Sequence, residues 1–237
     1  MDEVTLQQKF FSAMAPCYDS IHATDDEHGF ALSWLEAHIE FFGFQSYLEI
    51  GAGTGRALAH LHSRLPQIVC LGIEPVRGMR EQGYARGLSR EILIEGDAYH
   101  LQFPDSSFDV VSEFAILHHV KNPSLVVAEM LRVSRKAVFI SDCNNFGHGK
   151  VAARLLKLSL RCLRLCSLFN YIRTLGRGYY ISEGDGVSYS YSVFNNLKQI
   201  RKACSKVYVL NTRPLDINHD PLLSASHVAL LALKLIK

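Results

Sequence analysis

The sequence predicts an α/β fold in which a mostly parallel, doubly wound sheet is covered by helices on both faces. Short apolar strand patterns alternate with helical patterns from residue 45 onward, which is the order that a parallel sheet requires. A glycine-rich turn at residues 51–55 joins the first of these strands to the helix that follows it. Such sheets bind ligands beyond the carboxyl ends of their strands, which is where this turn falls.

The predicted strands are short, apolar and rich in residues that favour strands. Five of them lie at residues 46–50, 68–74, 92–96, 108–113 and 137–141. Two more, at 206–211 and 227–235, are separated by about 15 residues, which is too short for the usual helical crossover. We therefore predict seven strands, with the last two as an antiparallel pair at one edge of the sheet.

Helical patterns precede the first strand and fill the spaces between later ones. Apolar residues recur at helical spacing in residues 29–42, which predicts an amphipathic helix ahead of the sheet. Further helices are predicted at 56–65, 76–87 and 123–133. Proline at the start of the last one suits a first helical turn.

At 237 residues the chain is long enough for one domain with an inserted segment. We divide it into an N-terminal helical cap (1–44), a core that binds the ligand (45–142), an inserted helical lid after strand five (143–196), and a C-terminal helix with edge strands (197–237).

Composition disfavours several classes of protein. The formal net charge is only +2, so the overall charge does not favour nucleic acid as a binding partner. We expect no secretory signal, and no apolar run reaches the roughly 18 residues of a spanning helix. Six cysteines without a Cys-x-x-Cys pair favour reduced thiols. We therefore predict a cytoplasmic protein, and no metal centre, because Cys162 and Cys166 alone do not make a zinc site.

Acidic residues follow the strands at the edge that carries the glycine turn. Glu74 ends the second strand, where a carboxylate can accept hydrogen bonds from both hydroxyls of a ribose. Asp97 follows the third strand, where its oxygen can accept from the exocyclic amine of an adenine. Arg56 replaces the third glycine of a dinucleotide turn, and no phosphate-loop signature is present. The sequence therefore predicts a ligand that contains adenosine, with phosphate binding by the turn as the weaker interpretation.

The motifs resemble those of class I S-adenosylmethionine-dependent methyltransferases of the small-molecule type, a family that includes quinone-ring methyltransferases. The resemblance covers roughly residues 45–142 and rests on segments in the correct order, at 48–55, 72–75, 95–98, 103–111, 117–120 and 129–133. It implies a Rossmann-like fold and S-adenosyl-L-methionine as the cofactor.

The resemblance also implies which residues contact this cofactor. The glycine turn holds the methionine part with support from Glu49, Glu74 binds the ribose, and Asp97 and Ala98 flank the adenine. Tyr18 belongs to a Tyr-Asp pair similar to one in quinone-ring methyltransferases, where the N-terminal segment covers the cofactor. The residues expected at the cofactor are Tyr18, Glu49, Gly51, Ala52, Gly53, Gly55, Glu74, Pro75, Met79, Asp97, Ala98, Tyr99 and Phe114.

The methyl acceptor is expected beyond strands four and five. His118 and His119 are the candidate bases, because imidazole titrates near working pH and a hydroxyl acceptor must lose a proton. A histidine pair also occurs here in the family without a catalytic role. The chain lacks the Asp/Asn-Pro-Pro-Tyr and Pro-Cys motifs of base-modifying enzymes of this class, which disfavours nucleic-acid bases as the acceptor.

The inserted segment 143–196 is where we expect acceptor specificity. Four tyrosines in or beside a loop rich in glycine and serine are predicted to face the acceptor: Tyr179, Tyr180, Tyr189 and Tyr191. Four basic residues spaced three and four apart share one helix face: Arg154, Lys157, Arg161 and Arg164. This face is expected to meet anionic lipid or a phosphorylated acceptor, or else solvent alone.

Together these observations predict transfer of a methyl group to an oxygen, in preference to a nitrogen or carbon, of a small molecule. A glycosyl or lipid-linked phosphorylated acceptor would explain the basic helix. Two alternatives stay open. An RNA- or protein-modifying methyltransferase needs a broad exposed groove, and a non-catalytic cofactor-binding module would have a blocked acceptor side.

Overall fold

The computed structural model describes residues 2–213 and 220–234. Its helices are α1 (Glu3–Met14), α2 (Tyr18–Ile21), α3 (Asp26–Phe42), α4 (Arg56–Arg64), α5 (Arg77–Ala85), α6 (Pro123–Val133), α7 (Val151–Cys162), α8 (Cys166–Arg173) and α9 (Leu197–Ala203). Its strands are β1 (Ser46–Ile50), β2 (Val69–Ile73), β3 (Leu93–Ile94), β4 (Phe108–Phe114), β5 (Ser134–Cys143), β6 (Tyr180–Ser182), β7 (Gly186–Ser188), β8 (Cys204–Asn211) and β9 (His227–Lys234). The last predicted strand extends to residue 235, which lies outside the described residues.

Seven of these strands form one sheet in the order β3-β2-β1-β4-β5-β9-β8. The first five strands of this order pair in parallel, whereas β9 is antiparallel to both β5 and β8. The predicted seven-stranded, mostly parallel sheet is therefore confirmed. The antiparallel strand β9 lies second from the edge, and β8 forms the edge itself.

Helices cover both faces of the sheet because successive side chains of a strand point to opposite faces. In β1, Leu48 and Ile50 belong to a buried cluster that includes Val126 of α6. Tyr47, which directly precedes Leu48, packs instead in a second cluster with Leu35 of α3. The two layers leave the carboxyl ends of the parallel strands open at one edge.

Helix α1 and the β6–β7 hairpin lie together over this edge. Asp2 caps α1 by accepting from the Thr5 N–H at 2.8 Å. The Gln7 side chain of α1 accepts from the Val187 N–H of β7, and its amide nitrogen lies 3.4 Å from the Asp185 carbonyl. The stretch rich in glycine and serine, which the sequence predicts as a loop, is thus partly a hairpin. The Gln7 side chain satisfies the Val187 N–H of β7.

The inserted segment begins with α7 and α8, as the predicted helical lid requires. Arg154, Lys157 and Arg161 donate to backbone carbonyls of the protein at 2.6 to 3.1 Å. These three side chains are thus half-buried and bind the protein itself, whereas Arg164 is exposed, and contact of this basic face with a partner stays a prediction. No helix among the described residues has both the length and the apolar character needed to cross a bilayer.

Candidate active site

A cavity of about 1000 Å³ lies at the carboxyl ends of the parallel strands. Loops after the five parallel strands, helices α1 and α2, and the β6–β7 hairpin form its walls. Thirteen of the residues that the sequence predicts at the cofactor or the acceptor line this cavity: Tyr18, Gly51, Gly53, Glu74, Pro75, Met79, Asp97, Ala98, Tyr99, Phe114, His118, His119 and Tyr189. The volume is at the upper end of the roughly 300–1,000 Å³ typical of ligand pockets, so there is room for more than one small ligand.

The glycine turn is fastened to the end of the neighbouring strand β2. Glu74 accepts from the Gly53 N–H at 3.0 Å and from the Val76 N–H at 2.7 Å. Gly53 has a φ of +57°, and a Cβ added there would meet only the Met79 methyl group, at 3.5 Å. The α-carbon of Gly53 therefore faces open cavity, so a ligand can approach the backbone closely.

Two buried carboxyl groups lie behind and beside this turn. Burial raises the pKa of Glu74 to about 7, although the N–H groups of Val76 and Gly53 favour its charged form. Burial likewise raises the pKa of Glu49 to about 8, opposed by Arg56 and assisted by Glu74. Both carboxyl groups thus titrate near neutral pH, because burial removes the water that would solvate the charged form.

Glu49, Ala52 and Gly55 do not line the main cavity. Glu49 and Ala52 line a smaller one of about 230 Å³ behind the turn, and one oxygen of Glu49 has no hydrogen-bond partner among the described residues. Gly55 precedes α4 as its N-terminal cap, at a φ of +75°. Glu74 makes the hydrogen bond to the Gly53 N–H, and the support that the sequence predicts from Glu49 stays a prediction.

The N-terminal segment is anchored beside the glycine turn. Asp19 accepts from the Thr54 hydroxyl at 2.6 Å and pairs with the Arg86 guanidinium. These contacts hold Tyr18, the preceding residue, on the cavity wall. Asp19 thus joins α2 to the glycine turn, and the neighbouring Tyr18 lines the cavity.

Tyr189 is the one predicted acceptor-side tyrosine that the structure brings to the cavity. Tyr191 is buried in the core, and its hydroxyl donates to the Asn196 side chain at 3.0 Å. A bridge between Asn144 and Ser192 draws this stretch against the end of β5, which explains why Tyr191 packs inward. The acceptor contact predicted for Tyr191 is therefore wrong.

Tyr179 and Tyr180 also lie away from the cavity wall. The ring of Tyr179 packs against that of Tyr189 with 6.1 Å between centroids. The Tyr180 ring lies 5.5 Å from the Arg173 guanidinium. Their predicted direct contact with an acceptor is not supported, although Tyr179 supports the tyrosine that does line the cavity.

The chain turns sharply after β4 to place the two histidines. Ala115 adopts a left-handed φ of +58°, and a 3₁₀ turn follows at Leu117–His119. The Glu113 side chain accepts from the Ile116 N–H at 3.0 Å, and Asp142 accepts from the Leu117 N–H at 2.8 Å. Two buried carboxyl groups therefore satisfy the free N–H groups at the start of this turn.

His118 lies between two carboxylates. Its Nδ1 is 2.7 Å from Asp142 Oδ1, and its Nε2 is 3.5 Å from Asp185 Oδ2. Burial alone would lower the pKa of His118, but the charge of Asp142 and the hydrogen bonds to both carboxylates raise it to about 10. His118 therefore carries a proton at neutral pH in this arrangement.

His119 faces the same carboxylate from the other side. Its Nε2 lies 3.3 Å from Asp185 Oδ1, and its Nδ1 lies 2.8 Å from the Val187 carbonyl and 2.9 Å from the Gln7 amide nitrogen. Burial opposes ionisation of Asp185, but hydrogen bonds from both histidines lower its pKa. The hairpin thus places a charged carboxylate over the histidine pair.

These residues are also the ones that could ligate a metal ion. One ring nitrogen each of His118 and His119 and an oxygen of Asp185 lie within 4.8 Å of one another, and divalent metals accept such ligands. A second set, in the part of the chain that the structure describes, combines His118 with Asp142 and Cys143. Burial raises the pKa of the Cys143 thiol well above its usual range, which disfavours the thiolate that a metal needs.

Sequence reasoning missed Asp142 and Asp185. Asp142 is the second-last residue of strand β5, and Glu74 and Asp97 follow earlier strands. Looking for an acid at the end of each strand would therefore have found Asp142 as well. Asp185 lies between two glycines in the lid, a pattern typical of a turn, and nothing local links it to the histidines.

The cavity fits S-adenosylmethionine. Gly53 leaves its backbone open to a ligand, Glu74 offers a carboxylate at the end of β2, and Asp97 lies on the same wall. The fold and the arrangement of these groups are similar to those of class I S-adenosylmethionine-dependent methyltransferases. Residues 48–140 match the family model described as a methyltransferase domain, which identifies this part of the chain as such a domain.

Curated relatives and solved structures agree with this class. The chain is 29% identical over 132 residues to demethylmenaquinone methyltransferase of Roseiflexus sp. strain RS-1, covering 54% of this chain and 55% of the relative. It is 29% identical over 130 residues to phosphatidylethanolamine N-methyltransferase of Cereibacter sphaeroides, covering 48% and 57%. The chain thus spans little more than half the length of these relatives.

The fold is similar to that of magnesium protoporphyrin IX methyltransferase from Synechocystis PCC 6803, solved with bound S-adenosylhomocysteine. The TM-score is 0.63 with 13% identity, covering 99% of this chain and 100% of that one. At this identity the likeness concerns the fold alone.

Proposed function

We propose that this protein transfers a methyl group from S-adenosylmethionine to an oxygen of a small molecule bound in the cavity. The observation that carries the proposal is the division of the cavity walls. Gly53, Glu74 and Asp97 line the cavity after β1, β2 and β3, and His118 and His119 line it with Asp185 after β4, which lies on the opposite side of β1 from β2. The volume of about 1000 Å³ suits a donor and an acceptor together.

The donor side binds and orients the cofactor. Glu74 accepts from the ribose hydroxyls, the backbone at Gly51 and Gly53 lies against the methionine part, and Asp97 with Ala98 flanks the adenine. Tyr18, Met79, Tyr99 and Phe114 supply the apolar remainder of the pocket. When bound, S-adenosylmethionine supplies an electrophilic methyl group and a neutral thioether leaving group.

The acceptor side positions an oxygen and removes its proton. His118 and His119 are the proposed proton acceptors, and Asp142 orients the His118 ring through the 2.7 Å contact at Nδ1. An acceptor that displaces Asp185 would remove one of the two carboxylates that raise the pKa of His118. The imidazole would then be better able to accept a proton near neutral pH.

A small acceptor is favoured over a macromolecule because the cavity is covered. Gln7 of α1 binds the hairpin backbone at Val187 and lies near the Asp185 carbonyl, so the helix and the hairpin close over the histidines. Phe10, Phe11 and Met14 of α1 line the cavity and provide apolar surface. We therefore infer an acceptor with both an apolar part and a hydroxyl, of glycosyl or lipid-linked type, with a nitrogen or carbon acceptor ranked lower.

Titration calorimetry with S-adenosylmethionine, followed by a turnover assay for S-adenosylhomocysteine, tests the proposal. We expect micromolar cofactor binding and turnover with hydroxylated amphiphiles in a panel that also contains amines, RNA and peptides. Cofactor binding without turnover on any acceptor would favour a non-catalytic module. Turnover only on RNA or peptide would replace the small-molecule proposal.

Anionic lipid remains a proposed partner, and a cytoplasmic location remains a proposal. All six cysteines are free, which agrees with a reducing compartment. Arg154, Lys157 and Arg161 are half-buried and bind the protein's own carbonyl groups, so Arg164 is the exposed member of the four basic residues proposed for this contact.

A further inference from the structure

Helices α7 and α8 present an unusual amount of apolar surface to the outside. None of their residues is buried. Nine large apolar side chains between residues 151 and 175 are 41% to 87% exposed, and we call them the apolar face: Val151, Leu155, Leu156, Leu163, Leu165, Leu168, Tyr171, Ile172 and Leu175. Nine such side chains within 25 residues are a candidate interaction surface, because soluble proteins rarely expose large apolar patches.

Hydrogen bonds from the polar side of α7 explain why Leu155 and Leu156 point outward. Lys157 donates to the carbonyls of Asn145 and His148 at 2.6 and 2.9 Å. Arg161 donates to the Phe194 carbonyl at 3.1 Å, and its guanidinium lies 4.8 Å from the Phe146 ring. The helix therefore turns Lys157 and Arg161 to the protein and leaves Val151, Leu155 and Leu156 exposed, whereas an ordinary surface helix buries its apolar face.

Charge selects one kind of partner for the apolar face. The segment from residue 150 to residue 182 contains no acidic residue, and its basic residues are Lys150, Arg154, Lys157, Arg161, Arg164, Arg173 and Arg177. A second copy of the chain seated on this face would bring two such sets of cations together. A membrane with anionic headgroups offers the opposite charge at its surface and apolar chains beneath it.

We propose that α7 and α8 lie in the surface of an anionic membrane, with the apolar face inserted among the lipids. Arg164 and Arg177, both exposed, would meet the headgroups. Lys157 ties α7 to His148, which lines the cavity, so the membrane surface and the cavity are joined through one loop. The inference rests on α7 and α8 and does not depend on methyl transfer.

Co-sedimentation of the full chain with vesicles tests the proposal. One set contains phosphatidylcholine alone, and the other contains equal parts of phosphatidylcholine and phosphatidylglycerol. We expect binding to the anionic vesicles, weakened by salt, and little binding to the neutral ones. A triple variant, Leu155→Ser with Leu168→Ser and Ile172→Ser, should lower the partition coefficient at least tenfold.

Phe41→Ser on α3 is the matched control, since Phe41 is 82% exposed and lies outside the apolar face. It should bind the vesicles as the wild type does. Unchanged cofactor affinity in the triple variant shows that it is folded, independently of turnover. Arg164→Gln with Arg177→Gln should weaken binding to the anionic vesicles alone.

Two results would overturn the proposal. One is equal vesicle binding by the wild type and the triple variant, or none by either protein. The other is a wild-type dimer, seen by sedimentation equilibrium, that the triple variant loses, since a second copy of the chain would then be the partner.

Discussion

Asp142 Oδ1 lies 2.7 Å from His118 Nδ1, and this contact fixes the direction in which the imidazole faces the cavity. The same carboxylate accepts from the Leu117 N–H, so one buried acid holds both the ring and the backbone of the turn. The charge of His118 and its hydrogen bond overcome the effect of burial and lower the pKa of Asp142 to about 2. The second ring nitrogen of His118 is thereby directed at Asp185.

Replacing His118 should reduce turnover without weakening cofactor binding. We expect His118→Gln to lower kcat by about 100-fold or more, the usual size of a general-base contribution, because Asp142 then has no imidazole to orient. Calorimetry should give a cofactor Kd within about twofold of the wild type. His62→Gln on α4, an exposed histidine, is the control. Equal loss of cofactor affinity and turnover would assign His118 a structural role.

Glu74 should make cofactor affinity depend on pH near neutrality. Burial raises its pKa to about 7, and only the carboxylate can accept from both ribose hydroxyls. Affinity for S-adenosylmethionine should therefore increase as pH rises from 6 to 7 and level off above, with up to about a tenfold change per pH unit below the pKa.

Glu74→Gln should lower cofactor affinity at pH 8 at least tenfold, since hydrogen bonds to a charged acceptor are lost, and should flatten the pH dependence. Calorimetry at several pH values measures both effects. Glu91→Gln, an exposed acid outside the cavity, should behave as the wild type. A variant that keeps the wild-type slope would remove Glu74 from the ribose site.

A methyl group added at Gly53 should block the cofactor while the fold survives. The new Cβ would contact only the Met79 methyl group, at 3.5 Å, and would otherwise occupy the cavity. Gly53→Ala should therefore weaken cofactor binding at least tenfold, with a loss of stability of about 1 kcal/mol from the left-handed φ of +57°.

Gly87→Ala separates the effect on the site from backbone strain. Gly87 has a φ of +98°, and a Cβ there would meet nothing within 4 Å. Its replacement should cost similar stability, measured by denaturant unfolding, and leave cofactor affinity unchanged. If both variants bind the cofactor equally well, the backbone at Gly53 does not lie against it.

The donor side of the site could be predicted because its residues stand next to strand ends in the sequence. Gly53 follows β1 and Glu74 follows β2, so a correct assignment of parallel strands brings them to one edge. The apolar strand patterns were enough for that assignment, since the sheet is buried on both faces.

The acceptor side could not be predicted in the same way, because it depends on contacts between distant segments. Asp185 reaches His118 because contacts from distant segments hold the hairpin, namely Gln7 of α1 at the Val187 N–H and His119 at the Val187 carbonyl. Tyr191 turns inward because the chain beside it pairs with the end of β5. The basic residues of α7 share a side as their spacing predicts, but spacing alone does not tell which side faces the protein.

Glu49 should make the protein less stable as pH rises, and this effect can be isolated. Its pKa is about 8 in the folded chain because the group is buried, against about 4.3 in an unfolded chain. Between these values the folded state holds a proton that the unfolded state has released, so the free energy of unfolding falls with rising pH. Below the lower value both states are protonated, and the penalty vanishes.

Glu49→Gln removes this titration but keeps the size of the side chain. The variant should therefore gain stability relative to the wild type as pH increases from 5 to 8, by at most about 4 kcal/mol. Urea unfolding of both proteins at each pH measures the difference, and other titrating groups cancel because both chains carry them. Parallel curves for the two proteins would mean that Glu49 ionises in the folded chain at its ordinary pKa, and that water or a cation reaches its unpartnered oxygen.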